Sequence, residues 1–232
     1  MRCAIVDYRI SETETYNLEN LGYRVLKCPH CSDVYEGISG HPDIQLYVSS
    51  QKSIVAQKKL SPDFIKDLNQ TGYNINLSHK ALSLKYPEDI ILNAFSTKDF
   101  FIHNTNFTDN EVLNLEKNKE VIHVNQGYTK CSILPVTDKA VITNDNSIFK
   151  ALTTHGFDVL LLPYGDIMLP GFNYGFIGGC GGNTQTGELL FFGDLNHYKY
   201  GAEVISFLLK YSVEPVYLYN GPLRDRGSLI LL

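Results

Sequence analysis

The stretch from Lys27 to Leu46 reads KCPHCSDVYEGISGHPDIQL and holds two thiols, two imidazoles and three carboxylates. Cys28-Pro29-His30-Cys31 is a CxxC. Such a pair beside a helix start has one thiol of lowered pKa, which makes a redox nucleophile. As thiolates the two would instead supply half a zinc site, with His30 and His41 the nearest further ligands. No second CxxC completes a zinc set, so two small thiols in a loop or core stand as the third reading. Farther on, His41-Pro42-Asp43 pairs an imidazole with a carboxylate across a proline that fixes the approach. His41 there is a proton shuttle, and Asp43 its orienter or a holder of a substrate cation. The plainer reading makes Gly40-His41-Pro42 a turn and Asp43 the cap of a strand end.

Two more cysteines sit in chemically marked surroundings. Cys131 follows Lys130, and a neighbouring ammonium favours the thiolate. In a strand, however, adjacent side chains point to opposite faces, which leaves a buried, unreactive Cys131 as the competing reading. Cys180 lies inside GFIGGCGGN (175–183). That glycine run does not have the context of a phosphate cradle, because a strand rather than a helix follows it. Its glycines are expected to let the backbone pass close to a ligand or another chain segment. Asn93, Asn183, Arg224, Asp225 and Arg226 are polar residues in otherwise apolar segments. Each needs a partner, and a shared central pocket would supply one for all of them. Asp194, with His197 three residues on, reads as a helix-start cap.

The elements that must position these groups recur. A short apolar run is followed by a helix-start signal, an amphipathic helix, a Gly-aromatic turn and a second apolar run. The first runs are CAIVD, SIVAQ, FFIHN, AVITN and LLFFGD, so the units start near 3, 53, 100, 140 and 189. Helix starts are marked by Ser11 with Glu14, by Ser61 ahead of Pro62, and by Thr108 with Glu111. Gly22-Tyr23, Gly72-Tyr73 and Gly156-Phe157 mark the turns. One extended inner segment lies between each unit and the next: DIQLYV, DIILNAF, KCSILPV, YGFIGGCGGN and, at the end, RDRGSLILL. Short polar turns join the first three to the following unit, as in a hairpin. The last segment and the first strand each want a neighbour, and their pairing would close the chain into a ring.

Bulk properties exclude several classes. The 232 residues are 44% hydrophobic, enough for one large domain, with a net charge of -5. That charge argues against a nucleic-acid or membrane-surface binder. No apolar run approaches the length of a membrane span, so a cytoplasmic protein with five reduced cysteines is expected.

Five ββαβ units around a pseudo-fivefold axis resemble the pentein, or α/β-propeller, superfamily. More narrowly, GHPDIQL, NQGYTKCS and GFIGG look like marks of an uncharacterised bacterial family within that architecture. The superfamily includes deiminases, dimethylarginine hydrolases and amidinotransferases, together with non-catalytic ribosome anti-association factors. Its enzymes carry a cysteine nucleophile on the final inner strand, a histidine that shuttles protons, and acids that hold a cationic guanidine. Here that strand begins Arg224-Asp225-Arg226-Gly227-Ser228 without a cysteine, and its two arginines would repel such a cation.

The expectation is therefore one α/β domain over 1–232, a five-unit pentein-like propeller closed by its terminal strands. Its function would be that of a hydrolase or transferase for a small polar, amidine- or amide-like molecule. The catalytic candidates are His41, Asp43, Cys131 and Cys180, and the substrate-binding candidates Asn93, Lys130, Asn183, Asp225 and Arg226. No cofactor or metal is implied, and a small molecule is the expected partner, not membrane or nucleic acid. The alternative is a non-catalytic ring that binds a protein, ribonucleoprotein or metabolite.

Overall fold

The computed structural model describes residues 2–184 and 186–232. In the first unit β1 (Cys3–Asp7), α1 (Glu12–Asn20) and β2 (Arg24–Cys28) lead to a four-residue helix α2 (Pro42–Gln45) and β3 (Leu46–Ser49). The second unit is β4 (Ser53–Ala56), α3 (Pro62–Asn69), β5 (Asn74–Leu77) and β6 (Phe95–Ser96). The third is β7 (Phe100–His103), α4 (Asn110–Leu115), β8 (Glu120–His123) and β9 (Ile133–Pro135). The fourth is β10 (Ala140–Thr143), α5 (Asn146–Thr154), β11 (Asp158–Leu161) and β12 (Gly181–Asn183). The fifth is β13 (Glu188–Phe191), α6 (Gly201–Lys210), β14 (Glu214–Tyr217) and β15 (Ile230–Leu231).

These strands form five small sheets of three: β15-β1-β2, β3-β4-β5, β6-β7-β8, β9-β10-β11 and β12-β13-β14. Each middle strand pairs in parallel with the strand beyond its helix and antiparallel with an inner strand. A parallel pair needs a crossover, which the helix provides. For β1 the antiparallel neighbour is β15, with Ala4 opposite Leu231 and Ile5 opposite Ile230. The first and last strands thus share a sheet. No helix among the described residues is long and apolar enough to cross a membrane.

Local chemistry accounts for the elements. The middle strands β1, β4, β7 and β10 are buried along their whole length, which is why they read as unbroken apolar runs. Three helices turn an apolar i, i+4 pair inward: Phe64 and Leu68 in α3, Ile148 and Leu152 in α5, and Val204 and Leu208 in α6. Ser11 and Glu14 form a reciprocal capping box, and Ser61 caps α3. After α1, α3 and α5 the chain turns through a left-handed glycine, at Gly22, Gly72 and Gly156, and so reaches the next strand.

Two expectations need correction. Asp109, not Thr108, caps α4, and the Thr108 hydroxyl lies 2.7 Å from His103 Nδ1 instead. The inner strands are also shorter than their apolar character implies, because their leading residues form turns. Asp43 lies within α2, and Ile177–Cys180 is a single helical turn. Their amide hydrogens go to partners outside a ladder: Asp43 N–H to the Gly227 carbonyl, Lys130 N–H to that of Asn93, Ser132 N–H to that of Tyr128. Those five turns position the site.

Candidate functional site

The turns ahead of β3, β6, β9, β12 and β15 contribute Asp43, Asn93, Cys131, Gly178 and Ser228, one per sheet, to a single hydrogen-bond network. The Cys131 thiol donates to Asp43 Oδ2 at 3.1 Å. Asn93 Nδ2 lies 3.1 Å from the same sulfur and 2.9 Å from the Asp43 carbonyl, while Asn93 Oδ1 accepts the Cys131 N–H. Ser228 Oγ sits 2.6 Å from Asp43 Oδ2 and 2.9 Å from the Gly178 carbonyl, and accepts from Lys130 Nζ at 2.9 Å. Because Lys130 and Cys131 lie in a turn, both side chains reach this cluster. The alternation that a strand would impose does not apply.

His41 is buried between two further carboxylates. Its Nε2 is 3.9 Å from Asp7 Oδ2 and its Nδ1 is 3.8 Å from Asp225 Oδ1. Neither contact is a hydrogen bond, and both ring nitrogens lack a partner, as does Asp43 Oδ1. An unpartnered polar atom in a buried site carries the full cost of its lost hydration, so these atoms are the ones a ligand would satisfy. Asp43 therefore positions the thiol, and the carboxylates beside the imidazole are Asp7 and Asp225. Asp7 is held by Arg9 in a bidentate pair. Asp225 accepts the N–H groups of Phe176 and Gly227. Gly179 packs directly on Asp225: a Cβ at that position would lie 1.8 Å from Asp225 Oδ1. The glycine run thus serves close backbone approach, as its sequence context implied.

A cavity of about 260 Å³ opens over His41, Cys131 and Asp225, with Tyr128, Phe172, Tyr174 and Phe176 among its walls. Burial pushes the Cys131 thiol well above its ordinary range, and the charges of Asp43 and Asp225 push it further. Burial likewise raises Asp225, with His41 opposing, and lowers Lys130, with Asp43 opposing. The resting thiol is therefore neutral. An opposite charge within ~4–6 Å of a group favours its ionised form by about one to three pKa units, so a cation in this cavity would favour the thiolate. His41, Asp43 and Cys131 also offer ligand atoms within 4.8 Å of one another, a set that could hold a thiophilic divalent ion.

The other candidates lie elsewhere. The Cys180 thiol donates to the Phe176 carbonyl and packs in an apolar cluster with Ile177 and Leu134. Asn183 donates to the Val136 carbonyl and lines a second cavity of about 730 Å³, which Lys130 also borders. Arg226 does not line the smaller cavity, and Arg224 stacks over the Tyr219 ring. Of Arg224, Asp225 and Arg226 only Asp225 borders the cavity, so neither arginine would touch a cation held there. Cys28 ends β2 and Cys31 follows it, both buried with thiols raised by burial, while His30 is exposed beside Glu36. Among the described residues neither belongs to a cluster of three ligand groups. Asp194 accepts the Asn196 N–H, the capping role expected of it. Sequence reasoning missed Asp7 and the aromatic walls. An acid closing a wholly apolar strand was the available signal for Asp7, whereas nothing local marked the aromatic residues as neighbours of Cys131.

Comparison with protein-family models matches residues 5–230 to a family described as "Family of unknown function (DUF6873)". The chain belongs to that family. A comparison with curated proteins gives no match. Among solved structures, the chain is similar to an amidinotransferase of the saxitoxin biosynthetic pathway from Microseira wollei, with a TM-score of 0.54 at 12% identity over 92% of this chain and 87% of that one. It is also similar to a dimethylarginine dimethylaminohydrolase variant in an adduct with S-methyl-L-thiocitrulline, with a TM-score of 0.56 at 12% identity over 94% and 92%. A third is the inosamine-phosphate amidinotransferase of Streptomyces griseus, at 0.51 and 13% over 91% and 78%. These likenesses establish the fold: an α/β protein of five three-stranded sheets similar to pentein amidinotransferases.

Proposed function

We propose that the chain is one pentein-like domain whose five sheets surround a common axis, and that it acts on a cationic amidine or guanidine with Cys131 as nucleophile. One observation carries the reading. A thiol, a partnerless imidazole and the Asp225 carboxylate line one cavity, and Asp43 is bonded to that thiol. The amidinium would lie over Sγ, its N–H groups donating to Asp225 and to the free oxygen of Asp43. Its charge lowers the thiol pKa, and His41 takes the thiol proton as Sγ bonds to the amidine carbon. Collapse expels ammonia or an amine, which leaves with the proton His41 holds, and the substrate carbon stays bound to sulfur. Water, or an amine acceptor, then adds to that carbon, gives up a proton through His41, and frees the thiol.

The structural likeness to amidinotransferases and a dimethylarginine hydrolase supports this reaction class by analogy. Their superfamily places the nucleophile on the last inner segment, where Ser228 stands here. Ser228 does not border the cavity, whereas Cys131 does. A ring that merely binds would pair these groups with backbone, and the partnerless atoms of His41 and Asp43 favour the enzyme.

The test uses chloroacetamidine and its neutral isostere chloroacetamide, with adducts located by peptide mass spectrometry. Chloroacetamidine should label Cys131 at least about tenfold faster, and Cys131→Ala should remove that adduct. Equal rates would overturn the reading. A second reading, a divalent metal site on His41, Asp43 and Cys131, rests on their mutual distance. It predicts that zinc ions block the labelling at a one-to-one ratio.

A further inference from the structure

The charge pattern of the cavity above Cys131 narrows what it takes. Among the described residues its one carboxylate is Asp225, at the floor, and no lysine or arginine lines it. Two nearby cations are committed elsewhere, and Arg226, whose buried Nε has no partner, does not line the cavity. Arg9 is spent on Asp7 and on the carbonyls of Glu36 and Gly37, and Lys130 on Ser228. The walls are mainly the rings of Tyr128, Phe172, Tyr174 and Phe176 with Ile38 and Leu169, and Asn173 is the one uncharged polar side chain without a ring among them. Tyr128 and Phe176 stack at 6.2 Å between centroids, and the Tyr128 hydroxyl is tied back to Asp89. At the mouth, Phe172 is 46% and Tyr174 39% exposed, and Tyr35 meets Phe172 edge-on.

Aromatic faces carry negative electrostatic potential and large apolar area. A carboxylate on a ligand's tail would meet those faces with no cation to pair it, and would lose hydration without compensation. An uncharged ring or alkyl group would instead bury apolar surface against them. The volume admits a ring, since an apolar cavity of about 150 Å³ already takes benzene. Resting on the amidine reading above, we infer that this site selects amidines or guanidines with an uncharged aromatic or aliphatic substituent and rejects amino-acid-like ones that bear a carboxylate.

Calorimetric titration of the full chain with four probes tests this: acetamidine, benzamidine, 4-amidinobenzoate and L-arginine. Benzamidine should bind at least about tenfold tighter than acetamidine, and about tenfold or more tighter than 4-amidinobenzoate or L-arginine. Phe172→Ala should weaken benzamidine more than acetamidine and so shrink the advantage of benzamidine. If acetamidine binds but benzamidine is no tighter, or if either carboxylate-bearing probe equals benzamidine, the inference is overturned while the amidine reading stands. If no probe binds and labelling of Cys131 ignores charge, the amidine reading fails and this inference with it.

Discussion

At the scale of single residues, the decisive contact joins a thiol to a carboxylate. Cys131 donates to Asp43, and that bond together with burial holds the sulfur protonated in the resting protein. Asp43→Asn keeps the shape and an acceptor oxygen but removes the charge. The thiol pKa should fall, and alkylation of Cys131 at pH 8 should accelerate several-fold over the unaltered chain. The pH dependence of the iodoacetamide rate checks this, and an unmoved midpoint would show that the thiol does not feel the Asp43 charge. Lys130 and Ser228 extend the same chain of bonds, and neither borders the Cys131 cavity.

At the scale of elements, His103 ties the end of β7 to the approach to α4. Its Nε2 donates to the Gly127 carbonyl at 3.1 Å, and its Nδ1 lies 2.7 Å from the Thr108 hydroxyl, which is also within reach of the Asn104 carbonyl. Burial lowers its pKa from 6.5 to about 4. The unfolded chain therefore binds a proton there before the folded one does. The stabilisation, about 3 kcal/mol, is complete above pH 6.5, declines as pH falls, and is gone below about 4. His103→Gln should flatten that part of the stability curve between pH 7 and 4. Urea midpoints of both proteins across the range measure it, and identical pH slopes would contradict the assignment.

At the scale of the molecule, the ends of the chain meet in one sheet. Cys3 and Leu232 exchange both backbone hydrogen bonds beside the β1–β15 pair. β15 follows Ser228 by one residue, so in the proposed ring the same closure that covers the β1 edge also holds the fifth turn in the site. Removal of residues 230–232 should expose that edge and speed amide hydrogen exchange in β1, with the least change in β6-β7-β8. Uniform acceleration through all five sheets would mean that the ring unfolds as one unit, and no acceleration in β1 would mean that the pairing carries little stability.

The sequence by itself determined the repeat. Five apolar runs buried on both faces, their capped helices and their glycine turns are local patterns, and the strands, helices and sheet partners follow from them. The capping of α4 escaped because Thr108 and Asp109 are both competent caps, and only the nearby His103 ring decided between them. His41 and Asp43 were legible as an imidazole and a carboxylate set close together, and Asn93 as a polar residue that needed a partner. The choice of Cys131 over Cys180 was not, nor was the turn that brings Lys130 and Cys131 to the same point, nor the aromatic walls. Those depend on which turns from distant units converge, and hydrogen-bond partners as far apart in sequence as Asp43 and Ser228 leave no local trace. Packing of the five sheets alone brings them together.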